Sequence, residues 1–286
     1  YWLSLKEATS VFSTNCYGYT TIPDPNFEDK LIARGIDKDG KNGKVLTFSI
    51  EKITNVNLSA SSISNLSGIE DFANLQILYC NSNQIANVNL SKNSNLTYLD
   101  ISKNNLTSLD LTQNTVLTDL NVDSNLLTGL DVSKNFSLIN LSCSFNQLTQ
   151  FDITTNTLLK SLNCSNNNLT DLNLKNNNNS ILTTLDLRTN PSLSCILVDN
   201  KTYSDTYWTA KKDATANFNH STCDLYTLIP DTKFETKLIA LGIDSGSIDG
   251  KVLTANINTI TSLDVSSSSI TDLKGIENFT SLKELV

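Results

Sequence analysis

The sequence predicts a β-rich solenoid, a parallel sheet wound coil upon coil, and three observations predict it. From Leu75 the segments LQILYCNSNQIANVNLSKNSN, LTYLDISKNNLTSLDLTQNTV, LTDLNVDSNLLTGLDVSKNFS and LINLSCSFNQLTQFDITTNTL recur every 21 residues, a period that marks stacked repeats. Within each segment a short run alternates apolar and polar residues, as a half-buried strand requires. Residues 17–79 also align without a gap to 224–286, at a constant offset of 207, so the array is itself repeated.

The longer repeat sets the organisation. TIPDPNFEDKLIARGID matches LIPDTKFETKLIALGID, GKVLTFSIEKIT matches GKVLTANINTIT, and the opening YWLSLKEATSVFSTNC resembles YWTAKKDATANFNHSTC from Tyr207. Residues 1–16 are accordingly read as the tail of a preceding unit's C-terminal cap, and 17–52 as an N-terminal cap. Coils follow over 53–194, a C-terminal cap over 195–223, and the cap and first coils of a following unit over 224–286. The chain reads as a stretch of a longer tandem array. In the N-terminal cap, Pro25 after Asp24 suits a first helical position behind a capping residue. Phe27, Leu31 and Ile32 have helical spacing and Gly35 is a terminator, so a short helix should cover the first coil.

Each 21-residue segment carries L-x-x-L-x-(C/I/V)-x-x-N followed by a half-length echo, and six such matches start at 75, 96, 117, 138, 159 and 182. This pattern resembles the leucine-rich repeat over at least residues 53–193, and its nested ten plus eleven structure is similar to the bacterial twenty-one-residue class called IRREKO. One coil cannot bury its own apolar residues, whereas stacked coils bury a continuous core. Leu78, Leu99, Leu120, Leu141, Leu162 and Leu185 should form one inward column, with Cys80, Ile101, Val122, Cys143, Cys164 and Leu187 beside it. The echo leucines Leu109, Leu130 and Leu172 should line the opposite wall as very short strands. The expected fold is thus a β-rich leucine-rich repeat solenoid: a parallel sheet with short second strands, an N-terminal helical cap, a disulfide-linked C-terminal cap, and units in tandem.

Asparagine recurs at two repeat positions, Asn83, Asn104, Asn125, Asn146, Asn167 and Asn190 at one and Asn93, Asn114, Asn135, Asn156 and Asn177 at the other. A buried turn strands backbone groups away from water, and a carboxamide supplies both an acceptor and donors. A structural Asn ladder is the reading.

The six cysteines divide by context. Cys80, Cys143 and Cys164 stand where neighbouring coils have Ile, Val or Leu, so they read as small buried apolar residues. Cys195 and Cys223 bracket the non-repeat segment that should cap the exposed core, and a disulfide between them would stabilise that loop and imply an oxidising compartment. A reduced pair in a cytoplasmic protein is the alternative. Cys16, equivalent to Cys223, has no Cys195 equivalent within the sequence.

The combination of I-P-D-x-x-F-E, G-K-V-L-T, (S/T)-x-L-x-G-I-E-x-F, the coils and N-P-x-L-x-C-I-x-V-D is similar to leucine-rich repeat surface proteins of Bacteroidota, chiefly flavobacteria. That resemblance implies export through a type IX secretion route and a place outside the cell or on its outer surface.

A net charge of −8 argues against nucleic acid or an anionic membrane as partner, and no apolar run is long enough for a membrane helix. His220 is the only histidine, which removes H-E-x-x-H zinc sites and weighs against a Ser/His/Asp triad. No P-loop, dinucleotide fingerprint or C-x-x-C is present, so no enzyme activity, metal site or cofactor is expected. GIDKDGKNGK, with Asp37 and Asp39, resembles part of a calcium loop but has Phe48 where the twelfth-position Glu would stand. A turn is the reading there, with calcium as the alternative.

Binding should fall on the outward strand positions. The fifth and seventh repeat positions give pairs such as Tyr79 and Asn81, Asp100 and Ser102, and Asn121 and Asp123, with Tyr98 and Asp119 nearby. Tyr79, Tyr98, Asp100, Asp119, Asn121 and Asp123 are the candidate face, suited to a protein or glycan ligand on the concave side. The expected function is non-catalytic adhesion or binding at a surface, with tandem units forming an extended scaffold and further copies of the unit in the same chain. The alternative is an accessory module of a larger secreted polysaccharide-degrading enzyme.

Overall fold

The computed structural model describes residues 18–220 and 226–286. The 1–16 segment, with Cys16, and Cys223 lie outside the described residues. The chain divides into two units, 1–220 and 221–286, each with its own apolar core.

The first unit opens with β1 (Tyr19–Thr21), α1 (Pro25–Ala33), β2 (Lys44–Leu46) and α2 (Thr47–Ile50), with β1 and β2 antiparallel. The helix begins where the sequence sets Pro25 after Asp24. Asp24 Oδ1 accepts from the N–H groups of Asn26 at 2.9 Å and Phe27 at 3.1 Å, satisfying first-turn donors that have no partner inside the helix. The chain leaves the helix through Gly35 at φ +67°, a left-handed position that a side chain disfavours. Phe27 and Leu31 are fully buried, and Phe27 stacks on Phe72 with 6.2 Å between ring centroids. Ile32 is only half-buried. Asp24 Oδ2 accepts from Ser64 N, Ser64 Oγ and Asn65 N, so one carboxylate ties cap to coil. At Gly68, φ +101°, an added Cβ would meet Thr21 O at 2.6 Å and Ile22 Cδ1 at 2.5 Å; the close approach of coil to cap requires glycine there.

Short strands then recur once per coil: β3 (Asn55–Asn57), β4 (Ile77–Tyr79), β5 (Tyr98–Asp100), β6 (Asp119–Asn121), β7 (Asn140–Ser142) and β8 (Ser161–Asn163). With β10 (Thr184–Asp186), which pairs with β8, they make one seven-stranded parallel sheet. The register sets Leu78 opposite Leu99, Leu99 opposite Leu120, and so on to Leu185, and none of these leucines is more than 3% exposed. The second column, Cys80 to Leu187, is fully buried.

The opposite wall differs from expectation. Among the described residues of this wall only β9 (Asp171–Asn173), β11 (Cys195–Leu197) and β12 (Asn217–Asn219) form a second parallel sheet, joined by a single bridge from Asp152 to Asn173. Leu172 lies in that sheet, whereas Leu109 and Leu130 pack against the core without forming strands. In their coils the chain turns at once: Asp110 Oδ1 takes Thr112 N at 2.9 Å and Asp131 Oδ1 takes Ser133 N at 2.8 Å. Asn173 of β9 makes the same turn with Lys175 N at 3.0 Å, so the turn alone does not decide whether a strand forms.

The segment from residue 195 therefore starts as one more turn of the wall, since β11 pairs with β9. Closure comes after it. The helix α3 (Lys201–Tyr207) leads into Trp208, which is 4% exposed and meets the rings of Tyr203 and Phe218 edge-on. The main-sheet side is continued by Leu187 N donating to Lys211 O at 2.7 Å.

The second unit repeats the first cap. It comprises β13 (Tyr226–Leu228), α4 (Thr232–Ala240), β14 (Lys251–Leu253), α5 (Thr254–Ile257), β15 (Ser262–Leu263) and β16 (Glu284–Leu285). Asp231 caps α4 through Lys233 N and Phe234 N, and Phe234 stacks on Phe279 at 6.3 Å. Among the described residues no helix is long and apolar enough to cross a membrane.

Candidate functional site: the outward strand face

Two files of asparagine hold the coils that carry the face. Asn104 Nδ2 donates to the carbonyls of Cys80, Ile101 and Ser102 at 3.0–3.1 Å, and its Oδ1 accepts from Ile85 N at 3.0 Å. Asn125, Asn146 and Asn167 repeat this one coil further on each time, accepting from Leu106, Leu127 and Leu148. Asn190 closes the series through Cys164 O, Leu187 O and Leu169 N, and Asn83 opens it by accepting from Ser61 N and Ile63 N. The residue before each is left-handed, from Lys103 at φ +53° to Thr189 at φ +60°. Phe145 and Thr189 are bulky for that region, and the carboxamide bonds on the next residue hold it.

In the second file, Asn93, Asn114, Asn135 and Asn156 are fully buried. Asn114 Nδ2 donates to Leu90 O and Asn93 O, and the others do likewise. The fifth member is Asn176, not Asn177. Asn176 is fully buried and donates to Asn156 O at 3.1 Å, while Asn177 is exposed at φ +61°. The two extra residues of this coil let the chain loop out at Asn177, so the asparagine one position earlier fills the buried place.

The face itself is set by strand alternation. Residues on either side of each inward leucine point outward, which gives a first file of Tyr98, Asp119, Asn140 and Ser161 in register, and a second of Tyr79, Asp100, Asn121 and Ser142. Those are the third and fifth repeat positions. The seventh position does not belong to the open face throughout: Ser102, Ser144 and Ser165 are buried, at 6%, 2% and 6% exposure, because the chain there is already turning inward. The third position, with Asn140 and Ser161, is what sequence reasoning missed, although strict alternation about Leu141 and Leu162 signals it.

Tyr79 and Tyr98 form a tilted pair, 4.9 Å between centroids at 44°. Burial, then the neighbouring Asp100, Tyr79 and Asp119, push the Tyr98 hydroxyl above its ordinary pKa. Beside it the carboxylates are held by neutral donors. Asp119 accepts from Asn140 Nδ2 at 2.6 Å and Thr118 Oγ1 at 2.7 Å. Asp123 accepts from Ser142 Oγ and Ser144 N, and Asp100 from Ser102 N and Oγ. Among the described residues none of these three is in an ion pair, whereas Asp186 further along is gripped twice by Arg188, at 2.9 and 2.6 Å. The side-chain hydrogen bonds from Arg188 hold the Asp186 carboxyl below its usual value. An open hollow of about 370 Å3 runs along the face, lined by Tyr98, Asp119, Asn121, Asp123, Asn140 and Ser142 among others. All six expected face residues therefore lie on this side, with Tyr98, Asp119, Asn121 and Asp123 in the hollow and Tyr79 and Asp100 beside it. A second open hollow, about 520 Å3, lies on the opposite wall between Asp131, Gln150, Asp152 and Asp171.

The remaining sequence candidates are placed as follows. Cys80, Cys143 and Cys164 are free and buried, and burial pushes their thiols well above the ordinary value. Cys195 is 3% exposed at the start of β11 and accepts from Asn219 Nδ2 at 3.2 Å; its expected partner Cys223 lies outside the described residues. His220 is exposed, its carbonyl taking Lys175 Nζ. Among the described residues no group of three or more His, Cys, Asp or Glu side chains is placed to hold a metal ion. Asp37 is 3% exposed; Oδ1 accepts from Asp39 N at 3.3 Å and Oδ2 has no hydrogen-bond partner. Burial, and then the Asp39 carboxyl, push the Asp37 pKa up to about 6.

No family model and no curated protein matches the sequence. Solved structures do. The functional domain of InlJ from Listeria monocytogenes, described as including a cysteine ladder, superposes with a TM-score of 0.53 at 26% identity. The match covers 96% of this chain and 57% of that one, so the chain spans little more than half the length of that structure. Internalin C2 from the same organism matches at 17% identity over 93% of this chain and 94% of its own, TM-score 0.47. The Leptospira interrogans leucine-rich repeat protein LIC12759 matches at 20% over 60% and 44%, TM-score 0.45. The fold is a β-rich leucine-rich repeat solenoid of the kind found in bacterial repeat proteins.

Proposed function

We propose that this chain is a non-catalytic binding protein whose outward strand face takes a protein ligand, in an adhesive role outside the cell or on its surface. The observation that carries the reading is the Tyr79–Tyr98 pair standing beside Asp100, Asp119 and Asp123, three carboxylates without an ion-pair partner among the described residues. Tyrosine offers a large amphipathic contact at low entropic cost. Unpaired carboxylates attract a ligand segment bearing Lys or Arg and speed its approach. The solenoid keeps both fixed, because the strands rather than loops carry them.

An extracellular place agrees with the expected Cys195–Cys223 bridge, and the resemblance to Bacteroidota surface proteins supports export by the type IX route and a scaffold of tandem units. A polysaccharide ligand, as in an accessory module of a secreted enzyme, is the second reading, favoured by the same tyrosines and amides. Presenting the chain to arrays of purified extracellular proteins and of oligosaccharides separates the two. The expected result is binding to proteins with basic segments, weakened as salt is raised through the range where the screening length falls to about 8 Å. Signal confined to oligosaccharides would overturn the protein reading in favour of the second.

A further inference from the structure

We propose that the turn Asp37–Gly43 at the foot of the first cap is a divalent-cation site of the calcium type, with the Asp37 and Asp39 carboxylates as its charged ligands. Three carboxylates in this cap are buried: Asp24, Glu28 and Asp37. Asp24 accepts from Asn26, Phe27, Ser64 and Asn65, and Glu28 Oε1 accepts from the N–H groups of Asn42, Gly43 and Lys44 at 2.6, 2.6 and 3.3 Å. Asp37 is the exception, its buried Oδ2 facing no donor. Such an oxygen is costly unless something positive meets it.

What faces Asp37 is another acid. Asp39 stands two residues on in the same turn, and its N–H donates to Asp37 Oδ1 at 3.3 Å. A second carboxylate close to a buried one disfavours its charge unless a proton or a cation offsets it. Of the nearby lysines, Lys41 pairs with Asp29 at 2.7 Å and Lys44 lies over the Tyr19 ring at 4.2 Å, while Lys38, between the two acids in the chain, is exposed to solvent. Gly40 and Gly43, at φ +85° and +80°, give the tight turn that an oxygen-rich cation loop uses. Asp39 is exposed, which leaves an entry path. Calcium suits this set better than magnesium, because it accepts irregular oxygen cages.

The chain carries its own control. In the second unit Asp244 replaces Asp37 but Gly246 stands in place of Asp39. There the acid is half-exposed and accepts from Ser245 N at 2.8 Å. The site is thus confined to the first copy, and it stands independently of the strand face.

Calorimetric titration of the chain with calcium chloride tests it. The expected result is one ion per chain with a dissociation constant on the order of 10⁻⁴ to 10⁻³ M, the range of extracellular modules, and a melting temperature that rises from chelator to millimolar calcium. Asp39→Ala, an exposed change, should abolish both the heat and the thermal shift, while Asp244→Ala should keep them. An unchanged melting temperature with no heat, or an equal response from Asp39→Ala, would overturn the assignment.

Discussion

Asn125 makes four hydrogen bonds from one side chain, to Ile101 O, Val122 O, Asp123 O and Leu106 N. Replacing it by Ala leaves the buried Leu106 N–H without its partner and takes one of two donors from each of the Ile101, Val122 and Asp123 carbonyls. The expected cost is about 1–3 kcal/mol, read as a lower midpoint in thermal denaturation; Asn105→Ala, an exposed change outside the left-handed region, should leave the midpoint where it was. At this scale the sequence was most legible where one residue type recurs at one spacing, as with the first asparagine file. It was least legible where spacing slips. The run of four asparagines from 176 to 179 hides that Asn176 and Asn179 turn inward, because the choice depends on how the two extra residues loop out. Glu28 was equally hidden: a charged residue on a helix reads as exposed until a neighbouring turn offers it three N–H groups.

Among the elements, the cap helix shows how a local signal and a tertiary one share a side chain. Asp24 caps its own helix and bonds the coil at Ser64 and Asn65. Burial alone would raise its pKa, but the bonds from Ser64, Asn65 and Phe27 outweigh that and hold it below the ordinary carboxylate value. In the unfolded chain the carboxyl takes up a proton first as the pH falls. Its stabilisation is therefore whole above about pH 4 and is lost as pH drops through and below that value. Melting temperatures measured from pH 6 to pH 2 should fall less steeply for Asp24→Asn than for the unaltered chain; parallel slopes would remove Asp24 from the account. The helix and its cap were readable from Asp24, Pro25 and Gly35 because those signals are local. The missing strands about Leu109 and Leu130 were not, since whether a three-residue run ladders depends on how the neighbouring coils align with it and not on its own residues.

For the molecule as a whole, the residues that hold the fold and those offered to a ligand are different sets on the same coils. Inward leucines and both asparagine files fix the stack, while the third and fifth repeat positions point outward. The repeat made the first set plain in the sequence; the second became plain only when pairing register placed Asn140 beside Asp119 and Tyr79 beside Asp100. On the proposed function the strand face, not the hollow of the opposite wall, takes the ligand. The measurement that tests it most directly compares array binding of two double variants, Tyr98→Ala with Asp119→Asn on the strand face and Asp131→Asn with Asp152→Asn on the wall. The first pair should lose the protein signal with an unchanged melting temperature, and the second should keep it; loss confined to the wall pair would contradict the claim.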